Sequence, residues 1–285
     1  MRCMARSLLT DSRKFSVLCG FLIFAAAPGR VMGQPTPAAA AAFNSYTGAV
    51  EARLGQQHQS PTAFLAPADS TRLRRGEFIV EQLTPSTGAF PGAMLHHWRG
   101  TAFAAGVKAA DFDRLLRDFN AYPQDFSPEV LQARVLAQHG DRLQAWMRVR
   151  QRHVITVVMD STYDVTFGRL DAQQRYSISR STRISEMDSN DRALSPSQEH
   201  GFLWRLNTYW SYEERDGGLY IQIESVSLTR SIPAGLVWAV GLFVESLPRE
   251  SLEFTLRSAC NALRKYESET DGMPAKKQSL ERTKR

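Results

Sequence analysis

Cysteine is scarce: the 285 residues hold three, Cys3, Cys19 and Cys260. Two of these fall in the first twenty residues, so no disulfide framework can hold the body, and the fold must rest on its core. Apolar runs are short as well. Phe15–Ala27 and Pro233–Val244 are the most apolar stretches, and neither reaches the roughly 20 residues that a bilayer-spanning helix needs. No HExxH, GxSxG, Walker loop or CxxC occurs, so no nucleophile, metal or phosphate site is announced by a motif of known geometry. There is no internal repeat.

Charge of one sign is also missing from the body. Residues 1–33 hold five of the 35 basic and one of the 29 acidic side chains, which leaves the remainder at +2. A cluster of Lys276, Lys277, Arg282, Lys284 and Arg285 against Glu281 takes up more than that excess. Nothing marks the basic face that nucleic-acid binding requires, and no nucleic-acid partner is expected. The polar, Pro- and Gly-containing segment 267–285 reads as a disordered basic tail.

At the other end, Arg2, Arg6, Arg13 and Lys14 precede the apolar run, which is followed by Pro28 and by the small residue Gly33. This is the layout of a secretory signal peptide. The expectation is an exported chain, periplasmic or secreted, cleaved near Gly33; a retained apolar anchor is the alternative. With the leader gone, Cys260 is the one cysteine left.

Residues 34–93 read as an N-terminal extension. Phe43, Tyr46, Val50 and Leu54 lie on one stripe of an Ala-rich helix over 38–54 that docks on the main domain. A Pro/Ser-rich loop follows over 60–70, then a strand over 76–83. From Leu95 the pattern is regular: strand 95–104, helix 109–119, a short corner at 122–130, then strands near 130–137, 143–150, 155–167, 175–187, 202–214 and 219–230. His139-Gly-Asp141 and Asp216-Gly-Gly218 supply hairpin-turn chemistry.

The last strand alternates Leu219, Ile221, Ile223 against Tyr220, Gln222, Glu224, which predicts one packed face. The change of parity to Val226 and Leu228 suggests a bulge at Ser225. Pro233 opens a long helix that is apolar on all faces to Val244, breaks or kinks at Pro248, and resumes with Leu252, Leu256, Ala259 and Leu263 as its buried stripe.

This order, with Asp118-Phe-Asn-Ala-Tyr-Pro-Gln-Asp-Phe-Ser-Pro-Glu-Val130 after the first helix and Ser227-Leu-Thr-Arg-Ser-Ile-Pro233 before the last, resembles the START-like superfamily. That superfamily includes the coenzyme Q-binding, polyketide cyclase-like and birch pollen allergen relatives. The resemblance covers 95–266 and is one of topology and spacing. It implies an α+β helix-grip fold: a curved seven-stranded antiparallel sheet around the long C-terminal helix. It also implies a cavity between them for lipids, sterols, quinones or polyketides. The domains expected are then 1–33 leader, 34–93 extension, 94–266 helix-grip domain and 267–285 tail.

The alternation itself puts Tyr163, with Ile155, Val157, Met159, Val165 and Phe167, on one strand face, and Phe202, Trp204, Leu206, Thr208, Trp210 and Tyr212 on another. Both are expected on the concave side, facing Trp238 and Phe243. Such walls suit a hydrophobic ligand; the alternative is that the same side chains fill a core.

Arg180 shares the even face of its strand with Tyr176, Ile178 and Ile184, so it is expected inside. There it would either pair with an acid such as Glu224 or Asp160 or anchor a ligand head group, and the ligand site expected comprises Arg180, Tyr163, Trp204, Thr208, Trp210, Glu224, Trp238 and Phe243. Adjacent His96 and His97 point to opposite strand faces, which predicts one exposed and one packed ring and argues against a shared metal. Tyr163, Tyr209, Asp160 and His97 are the scattered groups that acid–base chemistry could use.

The sequence therefore points to an exported protein that binds or carries a lipid, quinone or polyketide-like ligand without cofactor or metal, with transient contact to a membrane surface. A cyclase-like enzyme and a cell-envelope interaction module with a closed cavity are the alternatives.

Overall fold

The computed structural model describes residues 33–85, 90–152, 156–231 and 237–271, with the backbone alone for 237–246 and 267–271. The expected leader before Gly33 and the expected tail after Asp271 lie outside the described residues. Among the described residues five helices and eight strands follow in order: α1 (Pro37–Gln57), α2 (Ser70–Arg74), β1 (Ile79–Gln82), β2 (Ala93–Ala105), α3 (Ala109–Arg117), α4 (Tyr122–Asp125), β3 (Val130–His139), β4 (Arg142–Arg152), β5 (Thr156–Arg169), β6 (Gln174–Glu186), β7 (Arg205–Arg215), β8 (Gly218–Arg230) and α5 (Val237–Asp271). The strands form one antiparallel sheet in the order β1-β2-β8-β7-β6-β5-β4-β3. Seven of them are those read from the sequence as the helix-grip set, and β1 from the extension adds an eighth at the edge beside β2.

One face of the sheet, the inner face, carries α3, α4 and α5. The stripe Leu252, Leu256, Ala259 and Leu263 is buried against Ala102, Ala104, Ile221 and Ile223, with Phe112 of α3 between. Gly100 lets α5 approach: a Cβ there would stand 2.5 Å from Leu256 Cδ1 and 3.1 Å from Leu252 Cδ2. Pro248 lies inside α5, which is continuous across it.

The other, outer face is covered by the extension. Thr36 caps α1 by accepting from the Ala39 N–H at 3.0 Å, with Pro37 at a position whose N–H would be unpaired in any case. Phe43, Val50 and Leu54 bury against Leu95, Tyr209, Val226 and Leu228, and each such side chain stabilises by roughly 1.5–3 kcal/mol.

The loop expected over 60–70 ends in α2, which Asp69 caps through the N–H groups of Thr71 and Arg72.

Coverage on both sides corrects the reading of β8. Residues 218–224 are buried without alternation, because the odd side chains meet α5 and the even ones meet the extension. No bulge occurs at Ser225: the pairing of β8 with β2 and β7 runs unbroken through it. Val226 and Leu228 sit on the outer face under α1, which is why the parity of apolar residues changes.

The bulge that matters lies in β6. Tyr163 pairs with Ser181 but Thr162 with Arg183, so Thr182 is an extra residue. Strict alternation puts Arg180 and Ile184 on one face, and the bulge separates them: Ile184 is inner and Arg180 outer.

Candidate functional site

Register fixes what lines the inner face. One cross-strand row runs Trp98–Ser225–Thr208–Ser179–Val165 over β2, β8, β7, β6 and β5. The next row toward α3 runs Gly100–Ile223–Trp210–Ser177–Phe167. On the other side of the first row, His96 lies beside Ser227, and Ser227 beside Leu206. The row nearest α3 and the C-terminal half of α5 is therefore mostly apolar. The rows farther from α3 carry hydroxyls.

The two ends also differ in closure. Trp210, Ile223 and Phe167 are buried, with Phe112 edge-on to Trp210 at 5.2 Å. Leu206, Thr208, Ser179, Ser181, Ser225 and Trp98 are half-buried although they sit in the middle strands. Their outer-face neighbours Asn207, Tyr209 and Val226 are closed under α1.

In the middle of the sheet, the charged clusters lie on the outer face. Glu224 accepts from Arg53 of α1, from Arg99 Nε at 3.0 Å and from His97 Nε2 at 3.0 Å. Tyr46 O–H donates to His97 Nδ1 at 2.8 Å; this assignment of protons follows from the carboxylate acceptor on the other ring nitrogen. Burial works to raise the Glu224 carboxyl, but the bond from His97 and the charges of Arg99 and Arg53 outweigh it and hold it down to about 2.

Arg180 Nε and Nη2 each donate to Glu51 of α1 at 2.7 Å, and Tyr209 O–H donates to Glu51 Oε1 at 3.1 Å. Arg148 and Asp160 pair on the same side at 2.7 Å. On the inner face, the charged groups stand at the ends and are engaged. Arg175 lies 3.6 Å from Asp113, Glu214 accepts from the Ala109 N–H at 3.1 Å, and Glu186 accepts from the N–H groups of His200, Gly201 and Phe202.

The residues expected to line a ligand site are thus divided. Tyr163, Thr208 and Trp210 lie on the inner face, with burial pushing the Tyr163 phenol up to about 12. Arg180 and Glu224 do not: both are on the outer face in ion pairs with the extension, and the partner of Arg180 is Glu51 rather than Glu224 or Asp160.

Trp204 precedes β7, where alternation no longer holds; it packs in the outer cluster and donates from Nε1 to the Gly33 carbonyl at 2.9 Å. Phe202 also precedes β7 and is exposed. Trp238 and Phe243 lie in α5, their side chains outside the described residues.

The acid–base set is split by the sheet as well, with Tyr163 inside and Tyr209, Asp160 and His97 outside. Both His96 and His97 are buried, against the expectation of one exposed ring, because α1 covers the outer one. Among the described residues no group of three or more His, Cys, Asp or Glu could hold a metal.

Two further residues belong to the inner face: Trp98, which sequence reasoning passed over, and His96, read there only as one of an adjacent pair, which is bonded through Nε2 to Thr229 Oγ1 at 3.1 Å. Burial pushes the His96 imidazole down to about 4, so it is neutral at pH 7. The available signal was Gly100, Ala102 and Ala104 at alternate positions, small residues that mark the face where a helix comes close.

Clefts occur elsewhere on the described residues. An open one of about 510 Å³ lies between α3 and β3, and one of about 200 Å³ lies between α1 and β6–β7 beside Glu51 and Arg180. Both are outside the space between α5 and the sheet.

No family model matches the sequence, and no curated protein matches it. Solved structures do. A STAR-related lipid transfer protein from Xanthomonas axonopodis is 18% identical, with 65% of this chain and 98% of that one covered at a TM-score of 0.43. A START superfamily protein from Mycobacterium smegmatis is 13% identical, with 61% and 98% covered at 0.38. The Zhui aromatase/cyclase from Streptomyces sp. R1128 is 14% identical, with 60% and 94% covered at 0.42. Similarity at this level fixes neither an activity nor a ligand. On its own strand order and helix placement, the chain has the helix-grip fold, the arrangement of the START-like proteins.

Proposed function

We propose that the inner face binds an apolar small molecule non-covalently, in the space between the hydroxyl-bearing rows and the first half of α5. The observation that carries this is the half-exposure of Leu206, Thr208, Ser225 and Ser179 in mid-sheet, beside outer-face residues that are fully closed. Interiors are otherwise packed to the density of organic crystals, so accessible side chains between a sheet and the helix across it mean room. The accessible apolar side chains of the same face, Met94, Met147, Val149 and Leu206, supply the lining such a molecule needs. A binding and carrying role fits better than catalysis, because the sheet keeps the candidate acid–base groups apart.

Export belongs to the same reading, supported by the charged and apolar layout of residues 1–33. Its test is the intact mass of the chain recovered from its own cells. A chain beginning at Gln34 would lack the Gly33 carbonyl that Trp204 Nε1 uses. Contact with a membrane would be peripheral on this reading: among the described residues no helix is long and apolar enough to cross one.

Binding is tested by titrating the full chain with the neutral fluorophore N-phenyl-1-naphthylamine, alongside Thr208→Trp, Ser225→Phe and Arg180→Met. Saturable binding that the two inner-face variants abolish and Arg180→Met preserves is expected. Absence of binding, or binding indifferent to the inner-face variants, would overturn the proposal.

A further inference from the structure

Resting on that reading, we infer that the ligand is uncharged and presents an oxygen acceptor, such as a ketone, quinone, ester or alcohol, to Trp98 Nε1. The indole N–H of Trp98 is buried on the inner face and has no hydrogen-bond partner. It is a donor only, and a buried donor without a partner is uncommon enough in folded proteins to need an explanation. It opens the row Trp98–Ser225–Thr208–Ser179, whose hydroxyls donate or accept as needed.

Among the described residues of the sheet, nothing in that row carries charge. His96, the one ionisable neighbour in β2, is neutral at pH 7. The guanidinium groups that could receive a carboxylate or phosphate, those of Arg53, Arg99 and Arg180, lie across the sheet and are already bonded to Glu224 and Glu51. An anionic head group here would lose its water without meeting a cation. A neutral oxygen loses less and satisfies Trp98. The segregation of charge to the outer face thus selects neutral amphiphiles over fatty acids and phospholipids.

The experiment is displacement of N-phenyl-1-naphthylamine from the full chain at pH 8 by three ligands of similar length: 2-undecanone, decanoate and undecane. Affinities are normalised to each ligand's partition between water and an apolar solvent. The ketone should bind at least about tenfold more tightly than the carboxylate. Trp98→Phe, which keeps the ring and removes the donor, should weaken the ketone about fivefold, as loss of one hydrogen bond implies, and leave undecane unchanged. Ser225→Ala provides a second variant with little effect on packing and should weaken the ketone in the same sense. Decanoate binding as tightly as the ketone would overturn the inference, as would ketone affinity indifferent to both variants. Failure of the fluorophore itself to bind would overturn the reading under Proposed function instead.

Discussion

Arg180 and Glu51 are joined by two hydrogen bonds of 2.7 Å, one from Nε and one from Nη2, between the outer face of β6 and helix α1. The guanidinium that alternation alone assigns to the interior is therefore part of a strap on the other side. Its side chain is 44% exposed, and exposed pairs contribute little. Arg180→Met should cost below about 1 kcal/mol in urea unfolding and leave neutral-probe affinity unchanged. A loss of binding with the fold intact would return Arg180 to the site.

Glu224 is the opposite case. It is buried at 2% exposure and bonded to Arg53, Arg99 and His97. Removing one member of a buried ionic cluster leaves the rest uncompensated, and Glu224→Ala should destabilise by about 3 kcal/mol. Denaturant titration checks this, and a loss below that expected for Arg180→Met would mean that the cluster holds nothing.

Gly100 sets how closely α5 lies on the sheet. A Cβ would meet Leu256 Cδ1 at 2.5 Å and Leu252 Cδ2 at 3.1 Å in a filled part of the core. Gly100→Ala should cost about 1–3 kcal/mol by overpacking, read as a lowered urea midpoint. A neutral or stabilising result would show that α5 has slack at this level.

Acid should weaken the fold in a defined window. Burial pushes both His58 and His96 from 6.5 down to about 4. Between those values the unfolded chain binds protons that the folded chain does not, so stability is complete above pH 6.5 and falls as pH drops toward 4. Each ring contributes on the order of 3 kcal/mol to that loss. Glu224, held to about 2, adds a further loss below its ordinary value near 4.5. Urea midpoints measured from pH 8 to 4.5 should fall steeply for the wild type and less steeply for His58→Gln. Parallel curves would contradict the assignment.

Local pattern carried the strands and helices far where an apolar stripe or a turn residue marked them. The nine-residue helix at Ala109–Arg117 was legible from Phe112, Leu115 and Leu116 on one side, and the hairpins at Gly140 and Gly217 from their turn residues.

Facing was legible only where nothing interrupted the period. Thr182 as an extra residue reversed the sense of β6, and no residue type announces such a bulge. β8 misled differently: burial on both faces erases alternation, and recognising it requires knowing that α1 covers the outer face. Leu206, Thr208, Trp210 and Tyr163 share the inner face, as alternation assigns them, because their strands run regularly through those positions. Trp98 was missed, and His96 was not assigned to a face, because β2 has polar and apolar residues on both faces, and only its small residues betray the side of α5.

The most direct test of the account is native mass spectrometry of the full chain purified from cells under mild conditions, followed by organic extraction of whatever is bound. The account predicts a stoichiometric, neutral, extractable molecule that is lost in Thr208→Trp and retained in Arg180→Met. A bare chain that also takes up no neutral probe would contradict it, and would mean that the space over Thr208 and Ser225 is closed in solution.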